Sequence, residues 1–154
     1  MALKTELKRL TMFDIALSQT LATRTITDTR QSLLQSNGLA SPAEWFVLGI
    51  VCGNQNRGIR VTDLARRLRV NTTYITAMLN QLKQKDLVRT QPDKNDGRAR
   101  LIVATPAGIQ KVQQLEEITR LSLEKQLSLR VTSEQLEAYL HVIDVFAGIT
   151  TAQS

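Results

Sequence analysis

Residues 61–88 read VTDLARRLRVNTTYITAMLNQLKQKDLV, and this stretch decides the fold. It holds two helical periods with a break between them too short for anything but a turn. In the first, Leu64, Ala65 and Leu68 share one arc while Asp63, Arg66 and Arg67 face away, and Thr62 is the expected N-cap. Val70 and Asn71 make the turn, and Asn71 caps a second helix expected over residues 72–85. On that helix Ile75, Met78, Leu79 and Leu82 gather on one side; Thr73, Thr76, Ala77 and Asn80 gather on the other, with Thr72 at its start. A face turned only to solvent is usually built from Glu and Lys, which favour helix more than Thr and Asn do. Short hydroxyl and amide groups can instead approach base edges and phosphates, asparagine matching the donor and acceptor pair of adenine. Two helices joined by a three- or four-residue turn, the second with this face, have helix-turn-helix geometry. An ordinary helical pair with a polar outer face is the plainer alternative.

Working outward, VRTQPDKNDGRARLIVAT (residues 88–105) places strand-like runs at 88–91 and 101–105 around the nine residues PDKNDGRAR. Asp96-Gly97 alone could reverse the chain in a two-residue turn. The extra length therefore has another use, and Lys94, Arg98 and Arg100 surround the tip. A hairpin directly after a helix-turn-helix is a wing. Arg98 is the candidate for insertion into a minor groove, where narrowing concentrates negative potential. Asp96 is expected to pair with Arg98 or Arg100 and, with Gly97, to shape the tip. A solvated hairpin loop is the plainer reading.

The flanks are helical. Leu3, Leu7, Leu10, Leu17 and Leu21 recur at helical spacing, the pattern weakens through TRTITDTR, and it resumes at Leu33 and Leu34 before Asn37-Gly38, a pair suited to a left-handed helix end. Ser41-Pro42-Ala43-Glu44 then reads as a helix start, with Ser41 as cap, Pro42 in first position and Glu44 as capping-box partner; this helix should end near Gly53. After the wing, Thr105-Pro106-Ala107-Gly108 opens a helix carrying Ile109, Val112, Leu115, Ile118 and Leu121, and Thr132-Ser133-Glu134-Gln135 is a second capping box before Leu136, Leu140, Ile143 and Phe146. These terminal helices carry more apolar stripe than a small wing domain can cover, which implies burial against a second copy of the chain. The predicted fold is mainly α with a small β-hairpin wing. Dimerisation helices are expected at 1–36 and 106–150, flanking a DNA-binding lobe at 41–105.

Composition agrees. The chain of 154 residues is 42% hydrophobic, enough for one real core. Its formal charge is +6, and residues 57–100 hold eleven Lys and Arg against four Asp, a local +7. A basic middle between near-neutral ends fits a polyanion-binding module on a scaffold. No run approaches a membrane span, and MALKTELKRL is charged where a signal peptide is apolar, so a cytoplasmic protein is expected. With one cysteine, Cys52, and one histidine, His141, neither an intramolecular disulfide nor a typical metal site is expected, nor any cofactor or enzymatic activity. Cys52 lies on an apolar helix beside Ile50 and Val51, which favours an inert buried thiol over a redox sensor. Trp45 is a guess for a ligand pocket and otherwise core.

The order of helix, helix, VTDLARRLRVNTTYITAMLNQLKQKDLV, DKNDGRARLIVATPAG and two long helices resembles the MarR (multiple antibiotic resistance regulator) family of bacterial transcriptional regulators over nearly the whole chain. Its most specific part is Asp96-x-Arg98 followed by Thr105-x-x-Gly108, in register with the LA-x-x-L run and with Leu82 and Leu87-Val88. Three positions depart from the family's common residues: Ala77 in place of arginine, Asp86 in place of glycine, and Gly97 in place of a second wing arginine. The resemblance implies a homodimeric winged helix that binds double-stranded DNA, commonly a repressor, often released by small aromatic or phenolic acids. By that likeness Thr72, Thr73, Thr76 and Asn80 meet bases or phosphates, Arg98 enters the minor groove, and Lys94 and Arg100 meet the backbone. The alternatives are a winged helix that docks an acidic protein partner and a regulator that senses oxidants through Cys52.

Overall fold

Helix formation in the N-terminal stretch does not stop where its apolar pattern fades. Residues 12–54, 57–94, 96 and 99–148 are described in this computed structural model, and α1 (Met12–Ser36) runs unbroken through the Thr-rich residues 23–30. Leu3, Leu7 and Leu10 lie outside the described residues. The stripe fades without a change in backbone or burial: Leu17 and Leu21 before it and Ile26 within it are all exposed, and among the described side chains of α1 it is Leu34, near the C-terminal end, that enters the core. Its end is the one Asn37-Gly38 implied. Gly38 has φ +84, its N–H donates to the Gln35 carbonyl at 3.1 Å, and the Leu39 N–H donates to the Leu34 carbonyl at 2.9 Å. These are the two bonds of a Schellman end, with Leu34 and Leu39 buried beneath it.

α2 (Pro42–Gly53) starts as expected, with Pro42 in first position and the Ser41 hydroxyl accepting the Glu44 N–H at 3.4 Å. The capping box is modified: the Glu44 carboxylate reaches one residue further back than Ser41 and accepts the Ala40 N–H at 2.5 Å. α3 (Val61–Leu68) corrects the expected cap. Its N-cap is Arg60 and Thr62 lies within the first turn. The cause is upstream, where Ile59 exchanges both backbone bonds with Ile102, at 3.0 and 2.9 Å, so the chain is still extended at Arg60 (φ −78, ψ 150) and turns into helix at Val61.

Three residues separate α3 from α4 (Thr72–Gln84), and Asn71 caps α4 by accepting the Tyr74 N–H at 2.7 Å. Lys85 is the C-cap rather than a helical residue. Asp86 follows at φ 55, the left-handed conformation that explains a glycine here in the family resembled. The Asp86 N–H donates to Lys83 at 3.0 Å and the Leu87 N–H to Leu82 at 2.9 Å, a second Schellman end.

β1 (Val88–Pro92) and β2 (Arg100–Ala104) pair antiparallel, with Val88 opposite Ala104 and Pro92 opposite Arg100. The ladder is longer at its tip than the alternation suggests, so the connection spans residues 93–99 rather than nine residues. Pro92 is tolerated because a two-stranded ribbon has edges on both sides where no N–H is needed. Thr105 is not part of the strand: it caps α5 (Pro106–Leu127), its hydroxyl accepting the Gly108 N–H at 3.0 Å and donating to the Asp86 carbonyl at 2.6 Å.

Two compact units divide within α5, Met1–Leu115 and Glu116–Ser154. The first has a core of α1, α2, α3, α4, hairpin and early α5 residues, including Leu34, Leu48, Leu64, Ile75, Leu79, Leu82 and Leu115. In the second, α6 (Ser133–Ala147) opens with the expected capping box, in which Thr132 and Gln135 exchange bonds of 3.3 and 3.0 Å. None of the residues of α6 is buried.

Candidate nucleic-acid interface

The face of α4 is built by its own periodicity. Ile75, Leu79 and Leu82 are fully buried and hold the helix on the lobe, which turns Thr72, Thr73, Thr76 and Asn80 outward; all four are exposed. The Thr76 hydroxyl donates to the Thr72 carbonyl at 2.8 Å, which commits its hydrogen and leaves its oxygen to accept from a ligand. Tyr74 also stands exposed near the start of the same helix, a large aromatic side chain that a pattern of short polar groups does not reveal. Ala77, the position of a family arginine, is exposed and offers only a methyl.

In the hairpin, Lys94 and Arg100 are exposed, and Gly97 and Arg98 lie outside the described residues. The loop is closed at its base, where the Asp93 N–H donates to Ala99 at 3.1 Å and the Ala99 N–H to Asp96 at 2.9 Å. Asp96 has a partner that sequence spacing did not suggest: its carboxylate is 3.5 Å from Arg60 Nη2, the same nitrogen that donates to Asp93 at 2.8 Å. The hydrogen bond to Asp93 raises the Arg60 pKa above its ordinary value, with Coulombic support from Asp93, Asp96 and Asp63.

A second ion pair lies behind α4. Lys85 Nζ donates to both oxygens of Glu44, at 2.9 and 2.8 Å, and the Glu44 side chain has no exposure at all. A carboxylate so buried is tolerable only with charge-assisted partners, here Lys85 and the Ala40 N–H. The pair joins the start of α2 to the end of α4.

A cleft of about 250 Å³ is lined by Asn54, Gly58, Ile59, Arg60, Asp63, Arg66, Arg67 and Leu101. Trp45 is not among its walls; half-buried, it packs against the core and stacks on Phe46 with ring centroids 5.8 Å apart. Cys52 is a buried member of the core, and His141 is exposed on α6. Among the described residues no cluster of His, Cys, Asp and Glu has the geometry to hold a metal ion, and no helix is long and apolar enough to cross a membrane.

Residues 40–99, which contain α2, both helices of the turn and most of the hairpin, match the MarR family. Over these 60 of its 154 residues the chain is similar to the MarR family. Among curated relatives it is similar to the HTH-type transcriptional repressor IacR of Pseudomonas putida, 29% identical over 94 residues that cover 61% of this chain and 54% of that one. The chain spans about half the length of the curated relatives it matches. Solved structures share its winged-helix fold over most of their length. CouR of Rhodococcus jostii, bound to p-coumaroyl-CoA, is 17% identical with a TM-score of 0.76, covering 91% of this chain and 96% of that one. The MepR–DNA complex of S. aureus is 19% identical with a TM-score of 0.73, covering 90% and 98%.

Proposed function

We propose that this chain is a member of the MarR family and a homodimeric, sequence-specific DNA-binding regulator, a ligand-responsive repressor acting in the cytoplasm. The observation that carries the proposal is the paired construction of one lobe: an exposed face of Thr72, Thr73, Thr76 and Asn80, set by a fully buried opposite face, beside a hairpin that presents Lys94 and Arg100. α4 enters the major groove with this face toward base edges. The wing brings Arg98 to a minor groove and Lys94 and Arg100 to phosphates, with Asp96 and Gly97 shaping its tip.

A reader of a two-fold site needs a second copy, and α6 supplies the motive. Leu136, Tyr139, Leu140, Ile143 and Phe146 form an exposed stripe at helical spacing, and Leu17 and Leu21 are likewise exposed on α1. Apolar area of this kind is normally covered, so α1, α5 and α6 are assigned to dimerisation. Repression is supported by the likeness to IacR, and an aromatic or phenolic effector by the likeness in fold to CouR. The effector acts by linkage, binding better to a conformation whose half-site spacing mismatches DNA.

The test is titration of the full chain against DNA upstream of its own gene and against a scrambled duplex, at several salt concentrations. Tight binding to the first alone, with a steep salt slope, is expected; equal weak binding to both, and to duplexes drawn from a random library, refutes the assignment. Arg98→Ala should weaken specific binding by roughly 1 to 3 kcal/mol. Sedimentation at micromolar protein should give a dimer.

A further inference from the structure

Arg60 is not among the residues assigned to DNA, yet it ties the helix-turn-helix to the wing. It is the N-cap of α3 but makes no side-chain capping bond. Its guanidinium instead spans to the hairpin, donating to Asp93 at 2.8 Å and lying 3.5 Å from Asp96. The Asp93 side chain is only 10% exposed, whereas those of Arg60 and Asp96 are 45% and 47% exposed.

Two carboxylates at the base of a hairpin that approaches phosphates are unfavourable in themselves, because like charges repel. They are consistent with function if something neutralises them and uses them. One guanidinium does both here, its Nη2 donating to Asp93 at 2.8 Å while lying 3.5 Å from Asp96, so that a single positive charge faces both carboxylates. Asp93 and Asp96 also stand at the two backbone bonds that close the loop, Asp93 to Ala99 and Ala99 to Asp96. Pinning both carboxylates therefore pins the base of the tip. A partly exposed pair of this sort contributes little to global stability, so its effect falls on the local order of the loop.

We infer that Arg60 is a positioning residue for DNA binding, a clasp that holds the wing through Asp93 and Asp96 and masks their charge. The inference rests on the DNA-reading assignment above. It makes a prediction opposite in sign to simple electrostatics. Removing an acidic charge beside DNA should tighten binding if the carboxylates merely repel phosphate; if they anchor the wing, Asp93→Asn should weaken it.

The experiment uses the full chain and a duplex that the wild-type protein selects from a randomised library, with a scrambled duplex as reference. Arg60→Ala and Asp93→Asn are each expected to weaken specific binding about five- to twentyfold, the scale of losing order in a few interface side chains. The double variant should be no weaker than the weaker single one, and Arg60→Lys should recover part of the loss. The salt slope should stay within one phosphate contact of the wild type in Asp93→Asn. Unchanged or tighter binding by Asp93→Asn overturns the clasp, and Asp96→Asn supplies the same reading if Asp93→Asn folds poorly. If the wild type selects no sequence, the DNA-reading assignment fails. Hydrogen exchange at the Ala99 amide then decides the clasp alone: faster exchange in Asp93→Asn supports it, and an unchanged rate overturns it.

Discussion

Gly108 is the position at which one added carbon should do most harm. A Cβ built there would stand 2.1 Å from the Leu87 carbonyl oxygen, 3.0 Å from its carbon and 3.4 Å from a methyl of Leu48. The obstacle is backbone, so no rotamer change relieves it, and the carbonyl must retreat by about 1 Å to reach ordinary contact. That carbonyl accepts the Thr105 N–H at 3.1 Å, and Leu87 is also held by its bond to Leu82. Overpacking of this kind costs about 1 to 3 kcal/mol, and stretching a buried hydrogen bond adds about 1 kcal/mol. The better helix propensity of alanine returns about 0.5 to 1 kcal/mol. Gly108→Ala should therefore destabilise the protein by about 1 to 3.5 kcal/mol, a sizeable share of a typical domain's stability. Gly49, inside α2, is the control, because a Cβ there meets nothing within 4 Å. Gly49→Ala should stabilise by about 0.5 to 1 kcal/mol. Urea unfolding followed by circular dichroism at one fixed protein concentration measures both. A Gly108→Ala variant as stable as Gly49→Ala would refute the packing of α5 against Leu87.

Asp86 holds a left-handed conformation at φ 55, so Asp86→Gly should raise stability by about 0.5 to 1 kcal/mol in the same assay. Lys85→Met strands the buried Glu44 carboxylate and should cost about 2 to 4 kcal/mol, while Glu44→Gln with Lys85→Met should cost less than the two singles added together. Thr132→Ala removes the cap of α6 and should cost about 1 kcal/mol. It should also return the Glu134 carboxyl, whose pKa is lowered chiefly by the Thr132 hydroxyl, toward its ordinary value in an NMR titration. The sign follows from that lowering: the stabilisation is present above the unfolded pKa and is lost as pH falls through the folded one, so the variant should be less sensitive to acid.

Local features were legible in the sequence where one element carried its own evidence. The α4 wheel needed only the spacing of Ile75, Leu79 and Leu82, and the ends at Gly38 and Thr132 needed only neighbours within a few residues. Contacts between distant segments were not legible. Lys85 and Glu44 are 41 residues apart and Arg60 and Asp93 are 33 apart, and no periodicity reports such a meeting. The same limit misplaced the cap of α3, because the pairing of Ile59 with Ile102 is what keeps Arg60 extended. Continuity of α1 was hidden for a different reason: threonines and an exposed Ile26 erase the apolar stripe without breaking the backbone ladder. Gly108 was visible as part of a motif, but the Leu87 carbonyl that excludes a side chain there was not.

These long-range contacts converge on one point. Asp86 and Leu87 end α4 and lead into β1, and Thr105 binds both, its hydroxyl to the Asp86 carbonyl and its N–H to the Leu87 carbonyl. The same hydroxyl caps α5 through Gly108, and Lys85 just before this node is fastened to Glu44 at the start of α2. The end of the helix assigned to the major groove, the start of the wing and the start of α5 therefore share a set of buried and part-buried hydrogen bonds and cannot shift independently without breaking them. Arg60 adds a tie from α3 to the far end of the hairpin. In a lobe so braced, the effector proposed above would gain little by loosening α4 from the wing, since each hydrogen bond lost there opposes it. On the dimeric, effector-responsive reading proposed above, the lower-cost switch would leave each lobe's shape intact and change the spacing of the two lobes instead.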